Sequence, residues 1–178
     1  MKTAADNGKA ERTMEKTVTK NVKGPVGETV KQPVKKTVKK TKADAADQTT
    51  LLVLVVDRSG SMTSIKEDME GGIKTLLLEQ SEVAGTCLVT LAQFDGEYEL
   101  VADATPIEQL GEYQLIPRGS TALLDAIGHT IGHVEGRLKG LAPDDQPDHV
   151  LFAVITDGYE NASREWTHPK VMKSVNPR

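Results

Sequence analysis

Cysteine and aromatic residues are scarce in this chain, and long apolar runs are absent. The single cysteine among 178 residues, Cys87, excludes an intrachain disulfide and fits a reducing compartment. Aromatic residues make up only 3%, so a core has to be built from Leu, Val, Ile and Ala. No apolar run reaches the ~18 residues of a membrane span, and the N-terminus has no apolar stretch typical of a secretory signal. We therefore predict a cytoplasmic protein with no membrane partner.

Charge divides the chain into two parts. Residues 1–50 hold 12 of the 22 Lys and Arg but only 6 of the 26 Asp and Glu, so their net charge is +6 and that of residues 51–178 is −10. The basic part is rich in Lys, Thr and isolated Val, and such a composition cannot bury enough apolar surface to fold. We predict a disordered tail over residues 1–48, which is either a solvated linker or an arm that contacts a polyanion such as nucleic acid.

The rest of the chain alternates apolar strands with amphipathic helices. Strands are predicted in "TTLLVLVV" from Thr49, in "TCLVTLAQF" (86–94) and over 150–156, and "DG" at 95–96 predicts a hairpin into an antiparallel edge strand. Helices are predicted over 63–82 and from about residue 120. Gly71 and Gly72 are expected to allow the first helix to approach the sheet closely. The order predicts an α/β domain over residues 49–178, a sandwich with a mostly parallel sheet.

Oxygen-bearing side chains follow these strands. Asp57, Ser59 and Ser61 form the pattern D-x-S-x-S directly after the first strand, Thr121 stands at the start of the second helix, and Asp157 follows the strand over 150–156. Because strand ends and helix starts meet at one edge of a parallel sheet, we expect these five groups to converge there.

The composition of this group favours a hard cation. It has two carboxylates and three hydroxyls but no Cys or His, which suits Mg²⁺, with Mn²⁺ or Ca²⁺ as alternatives, and argues against zinc. Hydroxyls do not neutralise the charge of an ion. If they bind it directly while the carboxylates act partly through water, the ion keeps an affinity for an Asp or Glu of a partner protein.

These motifs carry a family resemblance. "DRSGS" at 57–61, Thr121 in "GSTALLDA" and Asp157 in "VITDG" resemble the metal-ion-dependent adhesion site of von Willebrand factor A domains, and "DRSGSM" and "ITDGYENAS" are most similar to intracellular bacterial or phage members. The resemblance implies a Rossmann-like three-layer sandwich. It also implies that Ser59, Ser61 and often Thr121 bind Mg²⁺ directly, that Asp57 and Asp157 bind it directly or through water, and that a partner's acidic residue completes the shell.

The resemblance also implies more chain than is seen here. A domain of this family usually adds two further strands after the segment equivalent to "ITDG", but only 20 residues follow Gly158. We expect the domain to be truncated or split after the strand over 150–156 and a following helix start near Pro169, or to be completed by a second chain. The strand over 150–156 would then have an open edge.

Each candidate residue also has a structural interpretation. Ser59 and Ser61 could cap a helix, and Asp157 with Gly158 could form a turn. Asp125 could support the metal site or lie on a helix surface. Glu160 and Asn161 could bind the metal or only shape the loop. His129 and His133 could bind zinc or only lie on a solvated helix face. Trp166 is expected to pack at a helix entry.

We therefore predict a metal-dependent protein-binding module and not an enzyme. No phosphate-binding loop is present, and Ser59 has no evident base. Two alternatives remain open: a nucleic-acid-associated protein that uses the basic tail, with the α/β part as scaffold, and a Mg²⁺-dependent hydrolase.

Overall fold

A computed structural model describes residues 48–175 of the chain. The predicted tail over residues 1–48 falls outside the described residues except for Gln48, so its disorder and its contact with polyanions stay predictions. Within the described part, no helix is long and apolar enough to cross a membrane.

The described part contains four strands and three α-helices in the order that the sequence predicts. The strands are β1 (Thr49–Asp57), β2 (Thr86–Phe94), β3 (Tyr98–Pro106) and β4 (His149–Ile155). The helices are α1 (Lys66–Ser81), α2 (Leu123–Gly140) and α3 (His168–Val175). Short 3₁₀ turns occupy Gly60–Ile65, Ile107–Gln109 and Pro143–Asp145.

The four strands form one mixed sheet in the order β3-β2-β1-β4. β1 runs parallel to both neighbours, with Asp57 opposite Phe94 of β2 and Val56 opposite Ile155 of β4. β3 runs antiparallel to β2 at one edge, joined by the short connection that begins at Asp95. The predicted α/β fold, with a mostly parallel sheet and one antiparallel edge strand, is confirmed.

Side chains alternate between the two faces of β1, and a helix covers each face. Leu52, Leu54 and Val56 pack in one core with Ile73 of α1. On the opposite face, Leu51 and Val53 pack with Val134 of α2, and Val55 packs with Phe94 and Ala126. Six consecutive apolar residues can be buried because each face of the sheet has its own helix. The arrangement therefore has three layers.

One prediction about glycine is wrong. Gly71 and Gly72 are exposed on α1, and a methyl group added at either would meet nothing within 4 Å, so neither allows the helix to approach the sheet. Close packing at a helix glycine occurs instead at Gly128 of α2, where an added methyl carbon would fall 2.0 Å from the ring of Trp166, which precedes α3 and is not part of the sheet. The packing role predicted for Trp166, before helix α3, is thereby confirmed.

β4 leaves apolar side chains exposed at the other edge of the sheet. Val150, Leu151, Phe152 and Val154 are between 37% and 47% exposed, although β1 lies against one side of the strand. Within residues 48–175 no strand pairs with the outer side of β4. An apolar edge strand of this kind can pair with a further strand.

Candidate metal site

The loop after β1 places two of the predicted ligands beside a buried carboxylate. Asp57 is 0% exposed, and its Oδ1 accepts a hydrogen bond of 2.7 Å from the Ser59 amide. The hydroxyls of Ser59 and Ser61 lie 3.2 Å apart. Ser59 stands at the N-cap of the 3₁₀ turn Gly60–Ile65, yet its side chain makes no capping hydrogen bond. Its hydroxyl is therefore not used as a helix cap.

Asp157 reaches the same place from the end of β4. The Ser61 hydroxyl donates a hydrogen bond of 2.8 Å to Asp157 Oδ1, between residues 96 positions apart in sequence. Both side chains are exposed, whereas Asp57 and Ser59 are buried. The cluster thus extends from the interior of the domain to its surface.

Thr121 approaches from the segment before α2. A methyl carbon added at Gly158 would lie 3.2 Å from Thr121 Oγ1 and 3.4 Å from Asp57 Oδ2. Both oxygens therefore border the small space that glycine leaves open. The structure brings all five predicted residues, Asp57, Ser59, Ser61, Thr121 and Asp157, to one edge of the sheet.

Thr156 is a member of the cluster that the sequence analysis missed. Its hydroxyl donates a hydrogen bond of 2.6 Å to Asp57 Oδ2 and accepts one of 3.2 Å from the Gly158 amide. The available signal was its place in "ITDG", one residue before Asp157 at the end of an apolar strand. Thr156 joins the carboxylate after β1 to the turn after β4.

Asn161 orients Thr121. Its side-chain oxygen accepts a hydrogen bond of 3.0 Å from the backbone amide of Thr121, and its backbone amide donates one of 3.0 Å to the Thr121 carbonyl. The Asn161 oxygen that was considered as a metal ligand is thus engaged with the backbone of a predicted ligand.

Glu160 and Asp125 hold the segment after β4 against α2. Glu160 accepts hydrogen bonds from the amides of Leu124, Ala162 and Ser163. The Asp125 carboxylate accepts hydrogen bonds of 2.7 to 3.0 Å from the backbone amides of Arg164, Glu165 and Trp166. Burial opposes ionisation of both carboxyls, but these hydrogen bonds outweigh it and lower the pKa of each. Both residues are loop anchors, and in neither case does the geometry indicate metal ligation.

A second buried carboxylate lies beside the cluster and was also missed. Asp95 is 3% exposed, and its Oδ2 accepts hydrogen bonds from Nε of Arg58 at 2.9 Å and Nε of Arg118 at 2.7 Å. Burial raises the pKa of Asp95, but the two arginines and the Glu97 amide outweigh it, and the net pKa is lowered. The sequence indicated only a hairpin at "DG", since an Arg buried directly after a strand has no local signature.

Among the residues that the structure describes, no such cation lies beside Asp57. Within residues 48–175 neither Asp57 nor Asp157 forms an ion pair, and Asp57 is held only by the Ser59 amide and the Thr156 hydroxyl. A carboxylate removed from water is costly unless a cation or metal compensates its charge. The donor set of two carboxylates and three hydroxyls, beside the space left by Gly158, therefore fits a hard divalent cation.

The side chains that most often bind metals form no cluster of three or more among the described residues. Nowhere in residues 48–175 do three or more His, Cys, Asp or Glu cluster so that they could hold a metal ion, and the five-residue site contains only two such residues. His133 contacts Asp103 at 2.9 Å, and His129 contacts Glu165 at 3.2 Å with its ring against Tyr98. The two histidines therefore make separate local contacts. Both side chains are partly exposed, His129 at 39% and His133 at 34%, which agrees with the predicted helix surface.

Comparisons with known proteins add no assignment to this geometry. The sequence matches no protein-family model, and no curated protein matches it at the significance expected of a relative.

Proposed function

We propose that this chain is a metal-dependent protein-binding module of the von Willebrand factor A type. The proposal is supported by the convergence of Asp57, Ser59, Ser61, Thr121 and Asp157 on one edge of an α/β sheet. The observation that carries it is the fully buried carboxylate of Asp57, which forms no ion pair within residues 48–175 and lies among these hydroxyls.

Three of the proposed ligands are buried and two are exposed. Asp57, Ser59 and Thr121 are buried and would hold Mg²⁺ from the protein side, while the exposed Ser61 and Asp157 would hold it from the solvent side. The bound ion would supply a positive charge for a carboxylate. Since three of the five donors are neutral hydroxyls, the chain leaves part of that charge for an Asp or Glu of a partner protein.

An exposed aromatic residue next to the site supports a protein partner. Tyr159 follows Gly158 and is 93% exposed, which is unusual for an aromatic side chain. Tyrosine is one of the residues that contribute most to protein interfaces. We therefore place the partner's contact surface over Asp157 and Tyr159.

Calorimetric titration with MgCl₂ tests the site. Wild-type protein should bind Mg²⁺, and Asp57→Asn and Asp157→Asn should each weaken binding by about tenfold or more, at least about 1.4 kcal/mol. Asp103→Asn is the matched control, because Asp103 is an exposed carboxylate on β3 paired with His133 and Arg137. Circular dichroism checks that each variant is folded. Unchanged affinity in both site variants would refute the proposal.

The partner requires a second experiment. Tagged protein is used to capture partners in Mg²⁺ and in EDTA, with wild type, Asp57→Asn and Tyr159→Ala in parallel. A partner lost in EDTA and in Asp57→Asn is bound through the metal. Tyr159→Ala should weaken capture while Mg²⁺ affinity stays within about twofold of wild type, because Tyr159 contributes contact area and no ligand. Met172→Ala, which removes an exposed apolar side chain on α3, is the control.

We further propose that the protein acts in the cytoplasm of a bacterium or in a phage-encoded system, and that another chain supplies a strand to the edge of β4. The lone Cys87, which is buried, supports a reducing compartment. The exposed apolar residues on β4 support an additional strand.

Two alternatives make different predictions. A nucleic-acid role rests on the basic tail, and it would appear as salt-sensitive DNA retention that is lost on deletion of residues 1–48. A hydrolytic role would use the same cation, and it would appear as turnover of a generic phosphoester that Asp57→Asn abolishes. Within residues 48–175 no histidine hydrogen-bonds to Ser59, Ser61 or Thr121, and the carboxylate that a site hydroxyl contacts is that of Asp157.

A further inference from the structure

Asp95 connects the two loops that carry the hydroxyl donors of the proposed site. Arg58, which it contacts at 2.9 Å, stands between Asp57 and Ser59, and Arg118, which it contacts at 2.7 Å, precedes Thr121 by three residues. Both Nε atoms donate to the same oxygen, Asp95 Oδ2, while Oδ1 accepts the Glu97 amide. One carboxylate oxygen therefore binds the two arginines, and the other binds the backbone of the hairpin.

Backbone hydrogen bonds also join Asp95, the loop after β1 and the segment before α2. The Arg118 amide donates to the Arg58 carbonyl at 2.7 Å, the Gly60 amide to the Gly119 carbonyl at 3.2 Å, and the Ala122 amide to the Asp95 carbonyl at 2.9 Å. Gly119 has φ +70°, and a methyl carbon there would lie 3.4 Å from Asp95 Cβ. The segment around Thr121 is thus drawn closely onto Asp95 and onto the loop after β1.

The outer ends of the arginines are also fixed. Nη1 of Arg58 donates to Glu99 at 2.6 Å, and Nη2 of Arg118 donates to Glu97 at 3.1 Å. A buried ion pair adds little net stability over an apolar replacement, because desolvation offsets most of the attraction. The forked geometry of arginine, however, holds its partners in defined directions. A positional role accounts for this cluster better than stability does.

We propose that Asp95 is a positioning residue that sets where the Thr121 hydroxyl lies relative to Ser59 and Ser61. Asp95 contacts neither the cation nor the partner, and it acts through Arg58 and Arg118. The proposal rests on the proposed function, since it assigns Asp95 a part in the affinity of the same site.

A double-mutant cycle separates positioning from general stability. Mg²⁺ affinity is measured by calorimetry in wild type, Asp95→Asn, Thr121→Ala and the double variant. Asp95→Asn should weaken Mg²⁺ binding by about tenfold when Thr121 is present. In the Thr121→Ala background it should weaken binding by less than about twofold, because the hydroxyl that Asp95 positions has already been removed. Asp103→Asn is the control, as its carboxylate also holds an arginine, Arg137, but away from the site.

Arg118 provides a variant with less risk to folding. Its side chain is 55% exposed, so Arg118→Gln removes one cation from Asp95 without emptying a core position. It should weaken Mg²⁺ binding less than Asp95→Asn does. Arg118→Lys keeps the charge but loses the fork, so it should restore only part of the affinity.

Hydrogen exchange in EDTA gives a second measurement that does not require metal. In Asp95→Asn, or in Arg118→Gln if Asp95→Asn does not fold, the amides of Gly60, Arg118 and Ala122 should exchange faster than in wild type, with β1 unchanged. If wild type binds no Mg²⁺, the proposed function fails, and unchanged exchange would separately overturn the role of Asp95. Where Mg²⁺ binds, an equal effect of Asp95→Asn in both backgrounds would also overturn it.

Discussion

Asp57 and Asp95 lie at the ends of neighbouring parallel strands and are both buried, yet among the described residues only Asp95 meets arginine side chains. Asp57 is opposite Phe94, so Asp95 is one residue further along. One carboxylate is neutralised by the protein, and the other is left among hydroxyls. We interpret this asymmetry as the separation of a structural group, Asp95, from a group of the proposed metal site, Asp57.

Without metal, removal of the charge of Asp57 and removal of the charge of Asp95 should have different effects on the free energy of unfolding. Asp57→Asn should change the free energy of unfolding by no more than about 1 kcal/mol in either direction, because removal of a buried charge that has no ion pair within residues 48–175 is offset by the loss of one of its two hydrogen-bond acceptors. Asp95→Asn should lower it by about 1 to 3 kcal/mol, because two arginines lose their charged acceptor. Urea denaturation measures both values. If Asp57→Asn were the more destabilising change, Asp57 would not be an uncompensated charge.

Gly158→Ala should weaken Mg²⁺ binding. The added methyl group would lie 3.2 Å from Thr121 Oγ1 and 3.4 Å from Asp57 Oδ2, so it takes space that a cation between these oxygens needs. We expect a loss of about tenfold or more in affinity, read by calorimetry. Gly71→Ala is the control: it is exposed within α1 with nothing within 4 Å, so it should raise stability by about 0.5 to 1 kcal/mol. Mg²⁺ affinity should not change in the control, and equal affinity in Gly158→Ala would contradict the placement of the site.

Gly128→Ala should displace the only tryptophan. The new methyl carbon would fall 2.0 Å from the Trp166 ring, and overpacking of this kind costs about 1 to 3 kcal/mol. Lys170 lies 4.0 Å from the centre of the same ring, so the ring is held from two sides. Tryptophan fluorescence should shift toward the solvent-exposed spectrum, and urea denaturation should show the lower stability. Gly132→Ala on the same helix, with nothing within 4 Å, should leave the spectrum as in wild type.

Local patterns were sufficient to predict the fold. The apolar run before Asp57 required a sheet covered on both faces, and the structure places α1 and α2 there. The ends of β2 were predicted at the residues where they occur, because Thr86 and Phe94 mark sharp changes in polarity. Gly71 and Gly72 were misinterpreted because a glycine in a helix has the same local signature whether it faces the sheet or solvent.

The site shows where sequence reasoning stops. Its five donors each follow a strand or precede a helix, so topology alone predicts their convergence. Asp95, Arg58 and Arg118 could not be grouped in this way, because their contacts depend on the path of the loop before α2. Thr156 contacts Asp57 through one hydrogen bond and Asn161 contacts Thr121 through two, and such contacts leave no spacing pattern in the sequence.

Acid should destabilise the domain through its loop anchors. Burial opposes ionisation of Asp125 and Glu160, but backbone hydrogen bonds outweigh it and lower their pKa values from the ordinary 3.8 and 4.5. The unfolded chain therefore binds protons at a higher pH than the folded chain. The resulting stability is present above about pH 4.5 and is lost as pH falls through the lowered pKa values. Urea denaturation from pH 6 to pH 3 measures how steeply the free energy of unfolding falls, and the fall should be shallower in Glu160→Gln. An equal slope in that variant would exclude Glu160 as a source.

The edge of β4 should make the isolated chain associate with itself. Phe152 and Val154 are 38% and 37% exposed, and no strand among residues 48–175 pairs with the outer side of β4. Natural proteins protect such edges with charged residues, and β4 (His149–Ile155) has no Lys, Arg, Asp or Glu within it. Sedimentation velocity should therefore show association that increases with protein concentration.

A charge placed on the β4 edge tests this expectation. Leu151→Lys introduces a cation at a side chain that is already 47% exposed, so the fold is retained while pairing at the edge is opposed. Association should fall to the level of the monomer across the same concentrations. The control is Val101→Lys on β3, also exposed, at the opposite edge of the sheet. If both variants reduced association equally, general repulsion would explain the effect. If only the β3 variant reduced it, the associating edge would be β3 and the strand that we propose to add at β4 would lose its support.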